Sequence, residues 1–391
     1  MGFWQIRSVF TRSHRRRILR GLGHPSEVLL ERWCYLRAPL PRAMTTLAQR
    51  ALERFGLRGA RVHQLRQGFV RVFHVVCSNR EEFCLRMYEL PPDGEHASRS
   101  DAEVPAPPPG RPSLEQLRAQ LLWLSALARE TPLLVPELVP ADDGSLMAYV
   151  PSEGTEESDQ AGRQCVLLRW VPGTHRREEQ LGPADASVVG SYVAGLHNHA
   201  QRHALTDTST LPRWDWNWAF GESVTLWRVG EQFYSAGEMA IFEAASRRVH
   251  EDLQELGHGT DTFGPIHRDL HLGNILFHGS RVGVIDFDLC GLGHYLLDLA
   301  VLLNALRNQR PDCFWKMRET LFESYEREIS FPEGHRKYLM TFHAMRHVAR
   351  LNRELRALTS EANRHRASGP HVLRNVVTWM QSSYLKDNRQ G

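Results

Sequence analysis

The chain has 391 residues, 42% of them hydrophobic and 24% charged, with a formal net charge of +3. That length exceeds one ordinary hydrophobic core and suits two lobes, while the near-neutral charge gives no footing for a nucleic-acid partner. No apolar run approaches the ~20 residues of a membrane span. The six cysteines (Cys34, Cys77, Cys84, Cys165, Cys290, Cys313) are scattered without a CxxC pair, which argues against a zinc ribbon or disulfide framework and for a reducing, cytoplasmic setting.

Residues 1–26 carry six arginines and no acidic residue. The stretch 1–43 reads as a basic extension expected to be disordered, with Met44, where a helical pattern begins, opening the working protein. Residues 44–56 read as a helix with Leu47, Ala51 and Leu52 on one face. Alternating apolar residues from Val70 to Val76, a turn at 78–81 and a second run, FCLRMY, predict a small antiparallel sheet. The Pro-rich stretch 91–112 is a linker or mobile loop. Ser113 with Gln116 three residues on predicts a capping box, followed by a helix with Leu114, Leu117, Leu121, Leu124 and Leu127 buried. Strands at 146–150 and 165–171 flank an acidic loop. This β-β-β-α-β-β order assigns 44–171 to an antiparallel-sheet lobe with its hinge, and 172–391 to a mainly helical lobe. In that second lobe, 190–200 reads as a helix end and 295–307 as an apolar helix. Tyr338, Phe342, Met345 and Ala349 mark one face of a long basic helix.

The chemistry is concentrated in residues 266–288, IHRDLHLGNILFHGSRVGVIDFD. The runs 275–277 and 282–285, joined through Gly279, form a hairpin signal. In an antiparallel hairpin the start of one strand lies beside the end of the other. Asn274 before the first strand and Asp286 after the second therefore meet, with Asp269 on the loop entering the same end. An amide oxygen and carboxylates are hard donors of the type Mg²⁺ takes alongside phosphate oxygens. The arrangement suits phosphoryl transfer: Asp269 as catalytic base, Asn274 and Asp286 as metal ligands, Asp288 at a second metal or its water, and His267 as a prop for the loop. His267 and His271 are four apart, but no third ligand at suitable spacing supports a zinc site.

The segment HRDLHLGN, followed by IDFD and by the Asp298-Leu299-Ala300 of GLGHYLLDLA, resembles the aminoglycoside phosphotransferase-like kinases, which include choline/ethanolamine and homoserine kinases. The resemblance extends through CVLLRWVPG and GLHNHA and covers about residues 44–350. It implies an α+β, protein-kinase-like fold of two lobes with ATP and Mg²⁺ between them, and transfer of the γ-phosphate to a hydroxyl of a small molecule. His271 and Asp288 replace the Lys and the DFG glycine usual in protein kinases, which favours the small-molecule branch. A Ser/Thr protein kinase of the stress-response type and a non-catalytic nucleotide-binding regulator are the alternatives.

The resemblance also implies a nucleotide site with unorthodox parts. Arg86 stands where a strand lysine normally holds the phosphates, and Gln120 at the position of its helix partner. Gly68 is the sole glycine in RQGFVRVF. The hinge offers Arg169 and Trp170. Alternating Trp214, Trp216 and Trp218 suggest a strand or irregular loop acting as a packing block for the insert that follows the hinge, with an aromatic cage for a quaternary amine as the less favoured reading. Residues 335–391 hold eleven Lys/Arg and three Asp/Glu, so a neutral, zwitterionic or acidic acceptor fits better than a polycationic antibiotic. The sequence leaves the oligomeric state open.

Overall fold

A computed structural model describes residues 42–89, 112–151, 162–202, 210–329, 334–360 and 370–386. The basic leader, the Pro-rich stretch and most of the acidic loop lie outside these residues.

The first helix, α1 (Arg42–Glu53), begins two residues before Met44. Strands β1 (Arg61–Arg66), β2 (Val70–Val76) and β3 (Glu82–Tyr88) form an antiparallel meander. After α2 (Leu114–Glu130) come β4 (Leu138–Val139), β5 (Ala148–Val150) and β6 (Arg163–Arg169). The sheet order is β1-β2-β3-β6-β4, with β5 also on β6. Side chains alternate across it with period two. Phe73, Val75, Leu85, Met87, Cys165 and Leu167 pack in one cluster with α1 residues Leu47, Ala51 and Leu52. Val72, Tyr88, Val166 and Leu168 belong to the cluster that holds the α2 leucines. Arg86 lies opposite Val72 and Val166 in register, so it shares the α2 face with Tyr88. The α2 capping box forms as its sequence predicts: Ser113 Oγ accepts from the Gln116 N–H, and the Gln116 side chain accepts from the Ser113 N–H.

The second lobe begins after the hinge. Gly173 has φ +129°, and a Cβ there would lie 3.0 Å from the Phe277 carbonyl oxygen, so glycine is required. The close approach lets Thr174 and Phe277 exchange backbone hydrogen bonds at 3.0 and 2.8 Å. Helix α3 (Pro183–Arg202) is followed by β7 (Arg213–Trp214), α4 (Trp216–Phe220), α5 (Thr225–Val229) and α6 (Ala236–Leu256). The alternating tryptophans are therefore only briefly a strand, because Asp215 caps α4 by accepting from the Asn217 N–H. β8 (Phe263–Ile266) precedes the hairpin β9 (Ile275–His278) and β10 (Arg281–Val284). β11 (Gly291–His294) pairs antiparallel with β8 and parallel with β7. The rest is helical: α7 (Tyr295–Gln309), α8 (Phe314–Glu328), α9 (Leu339–Thr359) and α10 (Pro370–Trp379). Leu296, Leu297, Leu299 and Leu302 of α7 are each at most 1% exposed; each such burial contributes roughly 1.5–3 kcal/mol. At Gly190 an added Cβ would meet the Leu321 carbonyl oxygen at 2.5 Å, which marks the close approach of α3 to α8. The fold is α+β, protein-kinase-like, with an antiparallel-sheet lobe and a mainly helical lobe. No helix among the described residues is long and apolar enough to cross a membrane.

Candidate active site

The hairpin closes as its spacing requires. The Ile285 N–H donates to the Asn274 carbonyl at 3.0 Å, which draws the two ends of the hairpin together. Gly279 turns it with φ +61°. The Asn274 amide nitrogen donates to the Asp269 carbonyl at 3.0 Å. That bond spends the nitrogen and leaves the amide oxygen as the donor atom for a cation.

The loop from His267 to Asn274 is held by two buried side chains. Asp298, in the first turn of α7, accepts from the His267 N–H at 2.9 Å and the Arg268 N–H at 2.6 Å, and His197 Nε2 is 3.2 Å away. These contacts fix Arg268 in the left-handed region, φ +69°, directly before Asp269. A non-glycine residue there stores strain of about 1–2 kcal/mol. His267 lies inside the loop. Its Nε2 is 3.1 Å from the Ile285 carbonyl, and its Nδ1 accepts from the Asp269 N–H at 3.2 Å. Both contacts require the neutral ring with the proton on Nε2, and burial holds its pKa low despite the nearby Asp298. His267 thus props the loop through the ring. The Arg268 guanidinium lies 4.5 Å from the Trp214 ring centre and 4.8 Å from that of Trp218. The cation at this tryptophan pair is the chain's own.

Asp269 is partly exposed, and its carboxylate is 3.5 Å from His271 Nε2. Burial pushes its pKa up, but the His271 contact and charge, then the Arg268 charge, outweigh it and hold the carboxyl far below the usual range. Asp286, like Arg268, is left-handed, φ +68°. Arg86 donates to Asp286 at 2.7 Å and also bonds Asp288; Arg66 reaches Asp286 at 3.4 Å. The Tyr88 hydroxyl donates to Asp288 at 2.7 Å. Burial works against ionisation of both carboxyls. At Asp286 the Arg86 and Arg66 charges prevail and lower its pKa; at Asp288 burial and the Asp286 charge prevail and raise it.

Gln120 does not meet Arg86. Its amide donates to the backbone carbonyls of Asp288 and Cys290, at 3.1 and 2.8 Å, and so fastens the loop after Asp286 to α2. Arg86 Nε and Gln120 Oε1 are buried polar atoms with no hydrogen-bond partner among the described residues. Gly68 sits in the β1–β2 loop with negative φ and only the Val70 carbonyl, 4.0 Å away, near an added Cβ. Arg169 turns outward, 54% exposed, beside Glu81 and Glu137. Trp170 lies against His74, ring centres 4.3 Å apart and planes tilted by 41°. The structure therefore brings together Asp269, His267, Asn274, Asp286, Asp288, Arg86 and Gln120, and points Arg169 elsewhere.

Sequence reasoning missed Tyr88, His197 and Arg66. Tyr88 had a signal, since it stands two residues from Arg86 and so on the same sheet face. Nothing in the sequence ties His197 or Arg66 to partners 101 and 220 residues away.

The family model described as phosphotransferase enzyme family matches residues 61–339. This chain belongs to that family. An amicoumacin kinase of Bacillus subtilis (strain 168) is 24% identical over 195 residues, 49% of this chain and 53% of its own. The chain spans about half to two thirds of the length of the curated relatives it matches. Among solved structures, a microcompartment-associated aminopropanol kinase superposes with TM-score 0.66 at 24% identity, covering 88% of this chain and 99% of that one. An amicoumacin kinase in complex with AMP-PNP, Ca²⁺ and Ami gives TM-score 0.62 at 15% identity, covering 96% and 97%. These two share the fold.

Proposed function

We propose that the protein is a cytoplasmic kinase that moves the γ-phosphate of Mg·ATP to a hydroxyl of a small molecule. The observation that carries this reading is the joining of Asp269, Asn274 and Asp286 at one hairpin end, inside a phosphotransferase family match. The donor set fits a hard divalent cation: one amide oxygen and two carboxylates, whose charge Arg86 balances in the protein alone. Asn274, Asp286 and Asp288 would hold Mg²⁺, which neutralises phosphate charge when bound. Arg86, through its unpartnered Nε, would donate to a phosphate oxygen. Gln120 would hold the metal loop still. Gly68 would let the backbone approach the phosphates, and Trp170 would border the adenine at the hinge.

In the reaction the acceptor hydroxyl oxygen bonds to the γ-phosphorus, and the bond from that phosphorus to the β–γ bridging oxygen breaks. The hydroxyl proton passes to Asp269 and ADP leaves. A carboxylate with a depressed pKa is a weak base, so its main work is to orient the hydroxyl and take the proton late. His267 and Asp298 keep it in place.

The test is incubation of the full chain with Mg·ATP and a metabolite extract, followed by mass spectrometry, with Asp269→Asn in parallel. A phosphorylated product seen only with the intact carboxylate is expected. Nucleotide binding without any product across the extract counts against catalysis, and no nucleotide binding rejects the reading.

A further inference from the structure

One group of charges takes no part in the metal or nucleotide chemistry. On α9, His343, Arg346, Arg350 and Arg353 follow one another at steps of three, four and three residues, so they line one helix face. Arg346 and Arg350 are half-buried and Arg353 is exposed. α9 packs against α7, whose Asp298 holds the loop before Asp269, and against α4, whose Trp218 lies on Arg268. Burial pushes the Arg346 pKa down to about 10; the charges of Arg268 and Arg350 add to this, while Asp269 and Asp298 oppose it. Arg353 lowers Arg268 in the same way. His343, pushed down to about 3 by burial, feels Arg346, Arg307 and His347. The nearest carboxylates are engaged elsewhere. Asp298 accepts two loop N–H groups beside His197, and Asp269 faces His271. Glu354 acts on Arg350 only through its field. Among the described residues no carboxylate stands at ion-pair distance from Arg346, Arg350 or Arg353. Half-buried cations gathered without counter-charge are costly unless an anion completes them.

We propose that this arginine face is the acceptor-anion site: the hydroxyl substrate carries a carboxylate or phosphate group, held by Arg346 and Arg350 with Arg353 at the rim, while its hydroxyl lies at Asp269. The inference rests on the kinase reading above and narrows it to acidic hydroxyl compounds. Planar guanidinium groups bind either anion through two parallel bonds, which a lysine face would not do. The anionic group is not altered in the reaction; it positions the hydroxyl.

The experiment uses the full chain with matched probes that share a hydroxylated skeleton: D-glycerate, glycerol 3-phosphate, glycerol and ethanolamine. Binding is read by calorimetry in wild type, Arg350→Gln and the Arg346→Gln/Arg350→Gln double variant. The acceptor phosphorylated from the extract is identified in parallel. Wild type should bind at least one of the two anions and neither glycerol nor ethanolamine, and the stronger anion tells carboxylate from phosphate. In the double variant that binding should weaken by about tenfold or more, and KM for the extract acceptor should rise alike with kcat within about threefold. Should the double variant melt early, Arg353→Glu at the exposed rim carries the same test. An extract acceptor without an acid group, no binding of either anion, or binding indifferent to the arginines overturns the site. Failure of the two readings is separable. Arginine-dependent anion binding without phosphoryl transfer would reject the kinase and keep the site. Transfer to a neutral or cationic acceptor would keep the kinase and reject the site.

Discussion

Asp269 stands between two sets of arginines that the chain treats differently. Towards the sheet, Arg86 is 8% exposed and bonded to both Asp286 and Asp288, with Arg66 beside it at 3.4 Å from Asp286. Towards α9, Arg346 and Arg350 are half-buried and meet no carboxylate at ion-pair distance among the described residues. The first set is charge satisfied inside the molecule, and it joins the two lobes across the cleft. The second is charge left for something to complete. Burial alone does not separate a structural cation from a functional one; the presence of a counter-charge does.

The strongest way to break this comparison is to remove the group in its middle. Asp269→Asn keeps shape and should lower kcat by about a thousandfold while calorimetric nucleotide binding is retained. Loss of nucleotide binding in that variant would mean that the two sides are not independent. Next comes the brace. Asp298→Ala leaves two loop N–H groups and His197 without their acceptor and should cost roughly 3–5 kcal/mol in urea unfolding. A cost below about 1 kcal/mol would show that the loop holds itself.

Acid separates fold from chemistry. The folded-state pKa of His294 is pushed down to about 4 by burial, against an ordinary value of about 6.5. The folded form thus binds fewer protons than the unfolded chain. Its contribution is complete above pH ~6.5 and is lost as pH falls towards 4, of order 3 kcal/mol at most. The melting temperature should decline across that window, and His294→Gln should flatten the decline. Asp269 stays ionised throughout it, so a fall in activity per folded molecule should report Asp288, whose raised pKa brings it closer to that window. The smallest effect is expected at Arg86→Lys, where one charge remains but the fork that spans two carboxylates is lost. KM for ATP should rise about tenfold with acceptor KM unmoved; a rise in both would place Arg86 on the acceptor side as well.

Local rules carried much of this structure. The capping box at Ser113, the period-two face shared by Arg86 and Tyr88, and the hairpin that joins Asn274 to Asp286 each follow from neighbours in the chain. The two-residue strands β4 and β7 were not legible, because they exist only by pairing with distant partners. The run after Trp214 misled through its alternation, although Asp215 carried a readable helix start. The Arg86 contacts to Asp286 and Asp288 were beyond local reading altogether, since they span 200 and 202 residues.

The stacking of Arg268 on Trp214 and Trp218 has an optical consequence. The residue that must hold its left-handed turn for Asp269 to face the cleft is also the residue that sets the surroundings of two indoles. Any ligand that loosens or tightens the catalytic loop must change the light those indoles emit. The chain carries its own gauge of loop order, readable in solution without a label, and Trp218→Phe would silence half of it while leaving the loop intact.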